Sequence, residues 1–130
     1  MTLVSFDIDG TLEIGDPPGI ITLAAVRAAQ QRGYLVGTCS DRPLAHQRRL
    51  WAQCELIPAF TVLKHRLAEL KASFWATAYY HIGDTDVDAH FAGLAGFRFL
   101  RADAASYRAW GPELFGTAPG AETDQEGHDR

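Results

Sequence analysis

The apolar positions of this 130-residue chain fall into two alternating patterns. Short runs rich in branched and aromatic residues read as buried strands at Thr2 to Asp7, Tyr34 to Cys39, Ala76 to Ile82 and Phe97 to Leu100. Between them apolar residues recur at helical spacing. Ile20, Leu23, Ala24 and Ala28 share one helix face, Ile21 and Val26 broaden it, and Gly33 is a stop. A second helix is expected from Pro43 to Gln53, with proline in its first turn. Leu67, Leu70 and Phe74 predict a third over Lys64 to Phe74. Val87, Phe91, Ala92 and Leu94 predict a fourth that ends at Gly96, and Ala102 to Trp110 a terminal one. Cys54 to Phe60 suits a loop or a short third strand broken by Pro58. Strands separated by helices imply an α/β fold: a Rossmann-like, doubly wound parallel sheet of about five strands with helices on both faces.

Composition narrows this little. Hydrophobic residues make up 47% and charged residues 22%, as in an ordinary globular domain. Residues 1–115 are expected to form one core domain. Residues 116–130 contain no apolar side chain larger than alanine and are expected to be a disordered, acidic tail. That tail carries four acids against Arg130, so it holds most of the net charge of −4. The near-neutral body gives no footprint for bulk nucleic-acid binding, which leaves nucleic acid only as a substrate. No apolar run reaches membrane-spanning length, and the first residues lack the pattern of a signal peptide. A cytoplasmic location without membrane contact is the expectation. Cys39 and Cys54 match no zinc or redox spacing.

The chemistry lies at the strand ends. The first strand runs into Asp7-Ile8-Asp9-Gly10-Thr11, the second into Ser40, and the fourth into Gly83-Asp84-Thr85-Asp86-Val87-Asp88. In a parallel sheet these ends share one edge, where open α/β sheets bind ligands. Two neighbouring acids stay ionised cheaply only beside a cation or a shared proton. Glycine lets the backbone turn sharply and approach an anion. Together these features indicate metal-assisted phosphoryl transfer. Lys64 is the one lysine placed by chain order to join the group.

This order of motifs resembles the haloacid dehalogenase-like (HAD) superfamily of phosphotransferases: Asp-x-Asp-Gly-Thr, a strand-terminal serine, a lysine, then Gly-Asp-x-x-x-Asp. The resemblance spans residues 4 to 100. It implies that Asp7 is the nucleophile and forms an aspartyl-phosphate, with Asp9 as general acid and then base. It implies Mg²⁺ held by the Asp7 carboxylate, the Asp9 backbone carbonyl and the Asp84 carboxylate, with Asp88 binding or orienting the metal's waters. Gly10, Thr11 and Ser40 would hold phosphate oxygens, and Lys64 would neutralise charge on the nucleophile and the phosphate. Asp9 needs a raised pKa in one half of the cycle, which a neighbouring carboxylate can supply. The sequence departs from the family pattern at Asp41, between Ser40 and Arg42, where glycine or asparagine is common.

No stretch is long enough for the cap domain that many relatives insert. An uncapped site suits a large phosphorylated substrate, or one covered by a second copy of the chain. Arg42, His46 and Arg49 share a helix face beside the site, read as a solvated face or as a basic rim for phosphate. Asp86 is expected to cap a helix, and His81 and His90 to pack or face solvent. The leading expectation is a Mg²⁺-dependent phosphatase of phosphate monoesters. The alternative is a catalytically weak domain that binds a phosphorylated ligand or protein partner.

Overall fold

The computed structural model describes residues 1–116. The tail expectation from residue 117 onward lies outside the described residues. Five strands, β1 (Thr2–Phe6), β2 (Leu35–Ser40), β3 (Phe60–Leu63), β4 (Ala78–Gly83) and β5 (Arg98–Arg101), form one parallel sheet in the order β3-β2-β1-β4-β5. The chain winds from β1 out to β3, then returns to the other side of β1 for β4 and β5. The winding direction therefore switches between β1 and β4, the place where such sheets open a ligand crevice.

Alternation along the strands divides the core in two. Val4, Phe6, Val36 and Ile82 point to one face. There they meet Val26 of α1 (Leu23–Gln31), Trp51 of α2 (Leu44–Gln53) and Trp110 and Phe115 of α5 (Ala104–Phe115). Leu3 and Cys39 point to the other. They pack with Leu67 of a 3-10 segment (Lys64–Glu69), Leu70 of α3 (Leu70–Ser73) and Ala92 of α4 (Asp86–Ala95). Each large apolar side chain buried this fully contributes about 2 kcal/mol. The sheet is thus the doubly wound one expected, with helices on both faces and no inserted cap between β1 and α1 or between β2 and β3.

Several boundaries differ from expectation. Helix α1 starts at Leu23, not Ile20, because Thr22 caps it by accepting the Ala25 N–H. Ile21 instead makes a lone parallel bridge with Leu12. The third strand lies downstream of Pro58, at Phe60–Leu63. Most of Cys54 to Phe60 is turn and loop, with Glu55 in the left-handed region at φ 57°. The helix expected over Lys64 to Phe74 is a 3-10 segment followed by one α turn, and Phe74 is extended. Helix α5 continues through Pro112 to Phe115 because Leu114 and Phe115 are buried, Phe115 stacking on Phe6 with ring centroids 6.3 Å apart. No helix among the described residues is long and apolar enough to cross a membrane.

Candidate active site

Asp7 leaves the end of β1 with its backbone N–H donated to the Ile82 carbonyl of β4 at 2.9 Å. That bond continues the ladder one residue past the strand and aims the carboxylate at the β1/β4 crevice. The chain then turns, with the Thr11 and Leu12 amides both donating to the Ile8 carbonyl. Gly10 sits at φ 76°, and a methyl group there would run into the Asp84 carboxylate. Glycine at position 10 is what lets Asp84 close in on the first motif.

An open cleft lies at this edge, lined by Asp7, Asp9, Pro17, Ser40, Asp41, Lys64, Asp84 and Thr85. Five of the sequence-predicted residues therefore face one space: Asp7, Asp9, Ser40, Lys64 and Asp84. The Ser40 hydroxyl accepts the Arg42 amide at 3.1 Å, which leaves its O–H to donate to a ligand oxygen. Thr38, two residues earlier, is turned inward, donating to Gln47 Oε1 and accepting from Trp51 Nε1.

Lys64 sits directly after β3 and is almost wholly buried. Its Nζ lies 3.5 Å from Asp7 Oδ1, 3.2 Å from Asp88 Oδ1 and 3.8 Å from Asp41 Oδ2. Burial alone would favour the neutral amine, but the charges of Asp7 and Asp88 hold its pKa above the ordinary lysine value. Burial pushes the Asp7 carboxyl up to about 7, and the Asp88 charge adds to this while Lys64 opposes it. Asp88 is also buried, but hydrogen bonds from His81 and Thr85 outweigh that and hold it down. The cluster thus carries more negative charge than Lys64 offsets.

Oxygens of Asp7, Asp84 and Asp88 lie within 4.8 Å of one another. An all-carboxylate donor set with an uncompensated charge suits a hard divalent cation such as Mg²⁺. Asp88 stands at the back of this group rather than in the cleft lining. One of its oxygens accepts from His81 Nε2 at 2.9 Å and faces Lys64. The other accepts the Thr85 hydroxyl at 2.7 Å and amide at 3.3 Å. Thr85 and Asp88 form the capping box that starts α4. Asp86, expected as the cap, instead opens the helix and pairs with Arg101 at 2.7 Å.

Other residues stand elsewhere than their expected roles require. The Gly10 amide donates to the Pro17 carbonyl at 2.7 Å, so it is spoken for and does not face a phosphate. Thr11 is fully buried, with its hydroxyl 3.4 Å from Asp84 Oδ1, and it steadies that carboxylate rather than lining the cleft. Arg42 does not point outward as a basic rim. Its Nε and Nη2 grip both oxygens of Asp9, at 3.1 and 2.5 Å, and the Asp16 amide adds a third donor at 2.8 Å. The Arg42 hydrogen bond, helped by the Asp16 amide, lowers the Asp9 pKa despite partial burial. Asp7, not Asp9, is the acid that its neighbours raise.

No protein-family model matches the chain, and a search of the curated proteins returns no match. Geometry and motif order carry the functional reading.

Gln47 was not singled out from the sequence, and His81, expected to pack or face solvent, takes the first of those places. Gln47 on α2 is fully buried and donates to the carbonyls of Arg42 (2.9 Å), Val62 (3.0 Å) and Ser40 (3.4 Å), tying the Ser40 loop to β3. His81, on β4, is also fully buried and bridges Ser5 and Asp88. The signal for His81 was its register. It falls at an inward strand position among apolar neighbours, where an unpaired polar group would be costly. His90 is exposed, the second of the two placements expected of it.

Proposed function

We propose that this protein is a Mg²⁺-dependent phosphatase of the HAD type that hydrolyses phosphate monoesters. The observation that carries the reading is the Asp7 carboxylate, aimed into an open cleft, flanked by Lys64 at 3.5 Å and grouped with Asp84. In the first step an Asp7 oxygen attacks phosphorus as the bond to the leaving alcohol breaks, giving an aspartyl-phosphate. Asp9, two residues on, supplies the proton to the departing oxygen. In the second step Asp9 takes a proton from water, the water oxygen attacks phosphorus, and Asp7 is released with inorganic phosphate. Lys64 offsets the charge that Asp7 and the phosphoryl oxygens share, and the Ser40 hydroxyl donates to one of those oxygens. Asp7, Asp84 and the Asp9 carbonyl would hold Mg²⁺, which supplies charge neutralisation at the phosphoryl group when bound.

Turnover of an aryl phosphate in Mg²⁺, lost on chelation and restored by added Mg²⁺, is the expected result. Asp7→Asn should lower turnover by at least about a thousandfold while circular dichroism stays unchanged. Activity in EDTA, or in Asp7→Asn, would sink this assignment. One observation favours a second reading. The Arg42 grip on Asp9 favours its ionised form over the protonated general acid, as suits a domain that binds a phosphorylated ligand without turning it over. Vanadate or phosphate binding in a protein with no turnover would select it.

A further inference from the structure

Ser5 and His81 are register partners on adjacent central strands, β1 and β4. Both are fully buried. Their side chains meet at 3.0 Å through the Ser5 hydroxyl and His81 Nδ1. The other ring nitrogen, Nε2, lies 2.9 Å from Asp88 Oδ1. An ionised carboxylate only accepts, so Nε2 carries the hydrogen on that side. The same Asp88 oxygen faces Lys64 Nζ at 3.2 Å, and Lys64 reaches Asp7 at 3.5 Å. A continuous buried chain therefore runs Ser5, His81, Asp88, Lys64, Asp7, from the floor of the sheet to the cleft.

Packing alone does not call for this arrangement. Apolar side chains at both positions 5 and 81 would fill the layer without a burial cost for two polar groups. What the imidazole adds is a fixed donor. Without it Asp88 Oδ1 would have Lys64 as its one strong partner, and the ammonium would be drawn from Asp7 toward Asp88.

We propose that His81 is a positioning residue for the metal and nucleophile group: held by Ser5, it locks Asp88 so that Asp88 and Asp7 share Lys64 and the carboxylates keep the spacing that a divalent cation needs. This rests on the phosphatase reading above. Residues behind a metal's ligands commonly change its affinity by about 10- to 100-fold when replaced.

The test is Mg²⁺ binding by calorimetry, without substrate, in the full chain. Glutamine places an amide N–H₂ near the Nε2 position, and asparagine places one near Nδ1. His81→Gln should bind Mg²⁺ within about threefold of wild type, and His81→Asn should bind at least about tenfold more weakly. His81→Leu fills the same space without a donor: it should bind as weakly as His81→Asn, and a role in packing alone would leave it near wild type. Equal affinities, or tighter binding by His81→Asn, overturn the proposal. Should His81→Asn fail to fold, the wild-type protein decides: its His81 Nε2 nitrogen resonance should move as Mg²⁺ saturates, and a resonance that stays put overturns the proposal. Wild-type protein that binds no Mg²⁺ overturns the phosphatase reading and this one together. Normal wild-type binding with indifferent variants overturns this one alone.

Discussion

At the residue scale, the two acids of the first motif are held in opposite ways. Asp7 is buried among like charges, and Asp9 is gripped by Arg42. Without metal, folded protein binds a proton on Asp7 up to about pH 7, whereas an unfolded aspartate releases it near pH 4. Folded protein then holds more protons than unfolded protein across that window, so stability falls as pH rises through it. Asp9 and Asp88, with lowered values, act the other way, and only below the ordinary aspartate range. Urea midpoints of EDTA-treated protein should therefore drop between about pH 5 and about pH 8, and Mg²⁺ should reverse the drop. A flat profile would contradict the crowded Asp7. For Asp9 the expectation concerns rate. A general acid must be protonated, and Arg42 opposes that. Arg42→Ala should raise the Asp9 pKa and move the alkaline limb of the kcat/KM profile to higher pH. An unmoved limb would mean that Asp9 is not the acid.

At the element scale, the sheet was legible because a parallel interior demands near-continuous apolar runs. Four of five strands stand within two residues of their expected places at either end. The third did not, because Phe60-Thr61-Val62-Leu63 runs into Lys64 without a break, and the apolar residues beyond it suggested one long helix. The terminal helix was expected to end at Trp110, yet burial of Leu114 and Phe115 carries α5 through Pro112 to Phe115. In the site, Asp7, Asp9, Ser40, Lys64 and Asp84 could be read because topology alone brings strand ends together. The Arg42 grip, the occupied Gly10 amide and the inward Gln47 depend on loop shape and on side-chain contacts across the fold, which periodicity does not encode. Gln47 yields the test at this scale. Gln47→Leu removes three hydrogen bonds to carbonyls of β2, its loop and β3. The expected cost is about 3 kcal/mol in denaturant melts, with a raised KM for phosphate esters. A loss under about 0.5 kcal/mol would mean that the loop holds its shape without it.

At the scale of the whole molecule, two separate cores clamp one sheet, and the cleft opens at the edge where both end. Lys64 depends on all of it. β3 delivers it, and acids from β1 (Asp7), the β2 loop (Asp41) and α4 (Asp88) surround it. The chain has just two lysines, and the other, Lys71, stacks over the Tyr79 ring with its Nζ near the surface. An acylating reagent should thus mark the N-terminus and Lys71 early and Lys64 last. Rapid labelling of Lys64 in native protein would contradict its burial. The pairing that tames Asp7 also makes one amine a chemical stopwatch: the time before Lys64 takes a label records how long this edge of the sheet stays assembled.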